Sequence, residues 1–155
     1  MRSFADFTDR SILERSVYDT TLNFYLRTRT LFSELAQLTD REYVKYWGEP
    51  PQADSDSYSW FASVANALNK AMCRDLFLAE SVSFFDYVNS VLSQCDDEVA
   101  NCIDVSLVEN LFWRVPLHQA APYWNILPQP LQKLYLEFHK EPPVVVDRPT
   151  PPALM

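Results

Sequence analysis

The side chains in this sequence that could do chemistry are two histidines, three cysteines and several close sets of carboxylates. His118 and His139 form neither an HExxH pattern nor a pair at metal-ligand spacing. Cys73, Cys95 and Cys102 are odd in number and show no CxxC pattern. A disulfide framework and a zinc knuckle are therefore disfavoured, and a reducing, cytoplasmic interior is expected. A nucleophilic cysteine needs a base in reach, and nothing in the spacing puts either histidine beside a thiol. Packing and surface roles are the expectation for these residues.

Asp54/Asp56 and Asp96/Asp97/Glu98 could bind a divalent cation or serve as general acid and base. Neither set has the glycine-punctuated spacing of an EF-hand loop, and no ExxH element follows on a helix. Helix capping and solvation account for both sets. No metal, no cofactor and no enzymatic activity are expected, and an enzyme with a carboxylate or metal site is the least favoured functional class.

The elements that must position any site are bounded by composition. A chain of 155 residues, 48% apolar and 14% aromatic, has the material for one packed domain. Gly48 is the single glycine. Multi-stranded β folds need glycine in hairpins and bulges, and phosphate-cradling loops need it for close backbone approach, so both are excluded. The expected class is all-α, a bundle of five or six helices. The start, MRSFADFTDR, carries two acids and no apolar core, and reads as neither a signal peptide nor a transit sequence. No apolar run is long enough to span a bilayer, so no membrane role is expected.

Along the chain, Leu13, Val17, Phe24, Leu31, Leu35 and Leu38 recur at helical spacing and predict one amphipathic helix from Asp9 to about Leu38. Thr39 to Glu42 has capping-box spacing and predicts a new short helix over Asp40 to Trp47, closed by a left-handed Gly48 ahead of Pro50 and Pro51. Further helices are expected at Ser57 to Met72, from Leu76 or Ser81 to Leu92, and at Asp97 to Trp113. Pro116, Pro122, Pro128 and Pro130 predict an irregular connector, followed by a last helix over Leu131 to Lys140. The expected division is a helical domain over residues 1–141 and an extended, Pro-rich tail over residues 142–155.

The most informative pattern is charge. The formal net charge is −8 and the isoelectric point about 4.6, which disfavours any grip on nucleic acid. Eight of the 21 acids lie between Asp75 and Trp113, a stretch with no Lys, Arg or His, and the thirteen others equal the thirteen bases. The imbalance is wholly local. Within it, Val99, Ile103, Leu107 and Leu111 form one apolar stripe and Val105, Val108 and Phe112 another, with Glu98 and Glu109 on the arc between. Such a helix is either packed on two sides in the core or covered on one side by a partner.

Within this stretch Asp97-Glu98-Val99, Asn101, Ile103, Val105-Ser106 and Glu109-Asn110-Leu111 resemble a segment of small acidic α-helical bacterial proteins. These are encoded beside polymorphic toxins and taken as their immunity proteins. The resemblance covers mainly residues 84 to 112 and brings no catalytic residue set. It implies an antitoxin that binds a cognate secreted toxin and occludes its active site.

The leading expectation is thus a non-enzymatic, cytoplasmic protein that binds a basic protein, foremost a cognate toxin. Asp54, Asp56, Tyr58, Trp60, Asp96, Asp97, Glu98, Glu109 and Trp113 are the candidate contact residues. An uncompensated negative field speeds capture of a positive partner, and aromatics supply anchors. The alternative is a phage or mobile-element inhibitor or adaptor whose acidic surface mimics nucleic acid before a host enzyme.

Overall fold

In the computed structural model, residues 18–52 and 55–143 are described. Among them seven α-helices and no strands build one compact domain. They are α1 (Thr21–Leu31), α2 (Ser33–Trp47), α3 (Ser57–Met72), α4 (Leu78–Leu92), α5 (Asp97–Cys102), α6 (Leu117–Ile126) and α7 (Gln129–His139). The all-α expectation holds, with more helices than the five or six expected.

The break between α1 and α2 falls at Phe32, not at Thr39 as the capping-box spacing predicts. Phe32 leaves helical geometry at φ −130° and ψ 63°. Its ring lies 5.3 Å from that of Phe84 and 5.1 Å from that of Tyr87, so burial of this aromatic against α4 accompanies the kink. Thr39 lies inside α2, fully buried, on the face with Ala36 and Tyr43. The next residue, Asp40, is engaged by Arg29 through two 2.8 Å hydrogen bonds and by the Trp60 indole N–H at 2.8 Å. A helix start at Thr39 would break that arrangement. Thr20 caps α1, accepting from the Asn23 N–H at 3.1 Å, whereas α2 starts after Phe32 without a side-chain cap. Gly48 closes α2 in the left-handed region at φ 84°, as expected.

Helix α3 has the expected bounds and is the centre of the molecule. Trp60, Phe61, Val64, Ala65, Leu68 and Met72 are all buried along it. Each large apolar side chain so buried contributes about 1.5–3 kcal/mol. Phe61 stacks on Phe24 of α1 at 4.2 Å, and α2 runs along its other side.

The fifth segment departs most from expectation. α5 ends at Cys102, a π-helical turn spans Ile103–Leu107, and a single 3-10 turn Val108–Asn110 finishes the segment short of Trp113. A π turn inserts an extra residue and shifts the phase of the side chains behind it. Here both apolar stripes are served. Val99, Ile103 and Leu107 face the core around α3, while Val108 and Phe112 are buried, the Phe112 ring 5.6 Å from that of Tyr135 in α7. The segment is therefore packed on two sides within the chain, with Val105 of the second stripe left exposed.

The proline-rich stretch is not an irregular connector. Pro116 precedes α6 and its carbonyl accepts from the N–H groups of Gln119 and Ala120, and Pro128 stands in the same position before α7. Proline suits helix starts because the first N–H groups have no intrahelical partner. Pro122 lies inside α6 on the exposed side, where the one lost hydrogen bond leaves a carbonyl open to water. The tail from Val144 onward lies outside the described residues, as does the start of the first expected helix.

Candidate functional site

Trp113 is the residue on which the outer surface of the acidic stretch turns. Its neighbours Phe112 and Arg114 both adopt left-handed backbone, at φ 69° and 60°. Such geometry is costly for residues with a Cβ and persists only where the surroundings enforce it. The enforcing group is Asn69 of α3, whose Oδ1 accepts from the Phe112 N–H at 2.7 Å and whose Nδ2 donates to the Asn110 carbonyl at 2.8 Å. Phe112 turns inward and Trp113 stands out, with the Arg114 guanidinium 4.3 Å from the centre of its indole.

Across a groove from Trp113 stand Tyr46 and Trp47, the last two residues before Gly48, with rings 5.1 Å apart. The exposures of Tyr46, Trp47 and Trp113 are 75%, 51% and 61%, high for aromatic side chains. The groove has a volume of about 370 Å³ and a small, polar floor of Ser59, Ala62, Ser63 and Asn66 from α3, with Asn110 beside Trp113. Aromatic walls over a floor of hydroxyls and amides suit a protein contact, since such rings bury area at low entropic cost.

Tyr58, one residue before the groove's Ser59 in sequence, contacts the acidic edge. The Tyr58 hydroxyl donates to the Glu98 carbonyl at 3.2 Å and accepts from Asn101 Nδ2 at 3.1 Å. The start of α3 is thereby tied to the first turn of α5, where Asp96, Asp97 and Glu98 are exposed. Among the described residues, the salt bridges join Arg29 to Asp40 and Lys45 and Lys70 to Glu42, and none takes in an acid of the 75–113 stretch.

Other expected contact residues lie elsewhere. Trp60 is fully buried, its indole donating to Asp40, and is a core residue. Asp56 is half-buried and closes the loop ahead of α3, accepting from the Gln52 N–H at 2.6 Å. That bond holds its carboxyl below the usual range, with help from the Tyr43 hydroxyl. Asp54 lies outside the described residues. Glu109 does not line Trp113's groove; its backbone carbonyl meets His139 Nε2 of α7 at 2.9 Å. Burial raises its carboxyl, and Asp104 adds to the rise while His139 opposes it. Burial, then Glu137, raises Asp104 as well.

Tyr46 and Trp47 were not among the sequence candidates. Adjacency alone gave no signal for them, since the neighbouring aromatics Trp60–Phe61 and Phe84–Phe85 are buried.

Residues 25–141 match a protein family described as a domain of unknown function, DUF7674. The chain belongs to that family. No curated protein and no solved structure matches it significantly. The DUF7674 span takes in both walls of the groove, Asn69 and all eight acids of the 75–113 stretch. The whole candidate face is thus carried by the DUF7674 domain. Among its described residues no three His, Cys, Asp or Glu side chains converge as metal ligands, and no helix is long and apolar enough to cross a membrane. The Cys102 thiol is buried and pushed up to about 12, which leaves it protonated and unreactive. His139 is stacked on Tyr135 at 4.1 Å.

Proposed function

We propose that this DUF7674 protein is an immunity protein: a cytoplasmic, non-enzymatic inhibitor that binds a cognate basic toxin and covers its active site. The observations that carry the reading are the groove walled by Tyr46, Trp47 and Trp113 and, at the first turn of α5, exposed acids that lack cation partners among the described residues. The acids draw in a positive surface and set its orientation. The aromatics then supply the desolvated anchors that fix affinity. Two left-handed residues around Trp113 support the reading further, since strain of this kind is retained where a side chain must be presented. The resemblance of residues 84 to 112 to immunity proteins points the same way.

The test is co-expression with the product of the reading frame next to this gene. The proposal expects that product to be toxic alone, to be tolerated with this protein, and to co-purify with it in a complex weakened by salt. A harmless neighbour, or toxicity that this protein leaves unchanged, would contradict it.

A further inference from the structure

Beyond Pro143, where the described residues end, the sequence continues VVVDRPTPPALM, with three prolines among residues 149–152. The point from which this tail leaves is held beside the aromatic groove. His139, the last residue of α7, meets the Glu109 carbonyl through Nε2 at 2.9 Å, and the following residue, Asn110, lines the groove with Trp113. Lys140 turns the chain in left-handed backbone at φ 71°, and Pro143 is buried. Consecutive Cα atoms lie about 3.8 Å apart, so the Trp113 wall is close to the end of α7. A proline-rich run favours the polyproline II helix, which advances about 3.1 Å per residue, so the chain from Pro143 to Pro152 reaches about 28 Å. The tail can therefore cross the groove.

Polyproline II segments dock in aromatic-lined grooves, with proline rings packed on the aromatic faces. Their carbonyls have no internal partner and accept from side-chain donors. The groove offers both, in three exposed rings and the Asn66 amide on its floor. Charge fits as well. Arg114 packs over Trp113, is exposed, and has no salt bridge among the described residues, while Asp147 stands two residues before the proline run. We infer that residues 147–152 dock into this groove in their own molecule, the prolines against Trp47 and Trp113 and Asp147 at Arg114. The tail then guards the face assigned above to the toxin, and a tighter partner must displace it. The inference rests on that face being a binding groove but needs no toxin, and its test uses this chain alone, so the two readings can fail separately.

Indole N–H signals of the full chain, isotope-labelled at tryptophan, provide the test because the four tryptophans divide by position. Trp47 and Trp113 wall the groove, Trp60 is in the core, and Trp124 packs on Phe112 and Tyr135. Pro149→Ala, Pro151→Ala and Pro152→Ala together should move the Trp47 and Trp113 signals. Trp60 and Trp124 should stay in place, which also shows that the variant is folded. Asp147→Asn should give a smaller shift of the same two signals in the same direction. A short tether supplies an effective concentration in the millimolar range, so the free peptide DRPTPPAL at about 5 mM should return at least about half of the shift in the triple variant. The peptide DRATAAAL should return none. Unmoved Trp47 and Trp113 signals in the triple variant, or no return with the proline peptide, would overturn the inference. Wild-type signals that change with protein concentration would overturn it in favour of a tail docked on a second copy.

Discussion

Asn69 holds Phe112 by its backbone: the amide oxygen accepts from the Phe112 N–H at 2.7 Å while the amide nitrogen donates to the Asn110 carbonyl at 2.8 Å. One buried side chain thus replaces the helical hydrogen bonds that end at Asn110 and sets the direction of Trp113. Replacing Asn69 with Ala leaves a buried N–H and a carbonyl unpaired. The expected loss is about 2–4 kcal/mol in denaturant unfolding, together with a red shift in tryptophan emission.

Trp60 and Trp113 should separate stability from binding. Trp60→Ala opens a cavity in the centre of the domain and should cost about 3–5 kcal/mol. Trp113→Ala removes an exposed ring and should change stability by no more than about 0.5 kcal/mol. A large thermal destabilisation by Trp113→Ala would mean that its ring is structural.

Asp40 should shape the acid limb of the stability curve. Burial pushes its carboxyl up, but the Arg29 and Trp60 hydrogen bonds outweigh burial and hold it below its ordinary value. A lowered carboxylate adds stability above its unfolded-state value, and that stability is lost as pH falls through the folded-state value. Asp40→Asn keeps an acceptor for Trp60 and removes the charge. It should cost about 1–2 kcal/mol at pH 7, the pair being about a third exposed, and should flatten the loss of stability as pH falls through the ordinary carboxylate range and below it.

Asp104 and Glu109 should act in the opposite sense. Both are raised, by burial first and by neighbouring acids second. A raised carboxyl penalises the fold above its folded-state value, and the penalty vanishes below the unfolded-state value. Asp104→Asn with Glu109→Gln should therefore raise the melting temperature at pH 7. Scans at descending pH should show the gain fading as the wild-type carboxyls take up protons.

Helix class was legible from one glycine and from apolar spacing, and the bounds of α3 from the polar, acidic loop before it and the recurring apolar residues within it. The break at Phe32 was not legible, because Thr39 to Glu42 carries a stronger local signal than an aromatic that kinks the chain to reach α4. Nor was the π turn, since a phase shift arises only when two stripes on one segment must meet different helices. Trp113 could be read from its place at the end of the acidic stretch. Trp60 stands in an equally polar context, DSDSYSWF, and its burial depends on Asp40, twenty residues earlier in sequence. Long-range partners of this kind leave no periodic trace.

The measurement closest to the central claim is binding of the adjacent gene's purified product to wild-type protein, Trp113→Ala, Trp47→Ala, and a variant with Asp96, Asp97 and Glu98 changed to Asn, Asn and Gln. The account predicts that each tryptophan change weakens binding at least about thirtyfold, from slower dissociation in the wild type. It predicts that the neutralised edge slows association and reduces its salt dependence. Wild-type affinity in all three variants, or no binding by the wild-type protein, would contradict it.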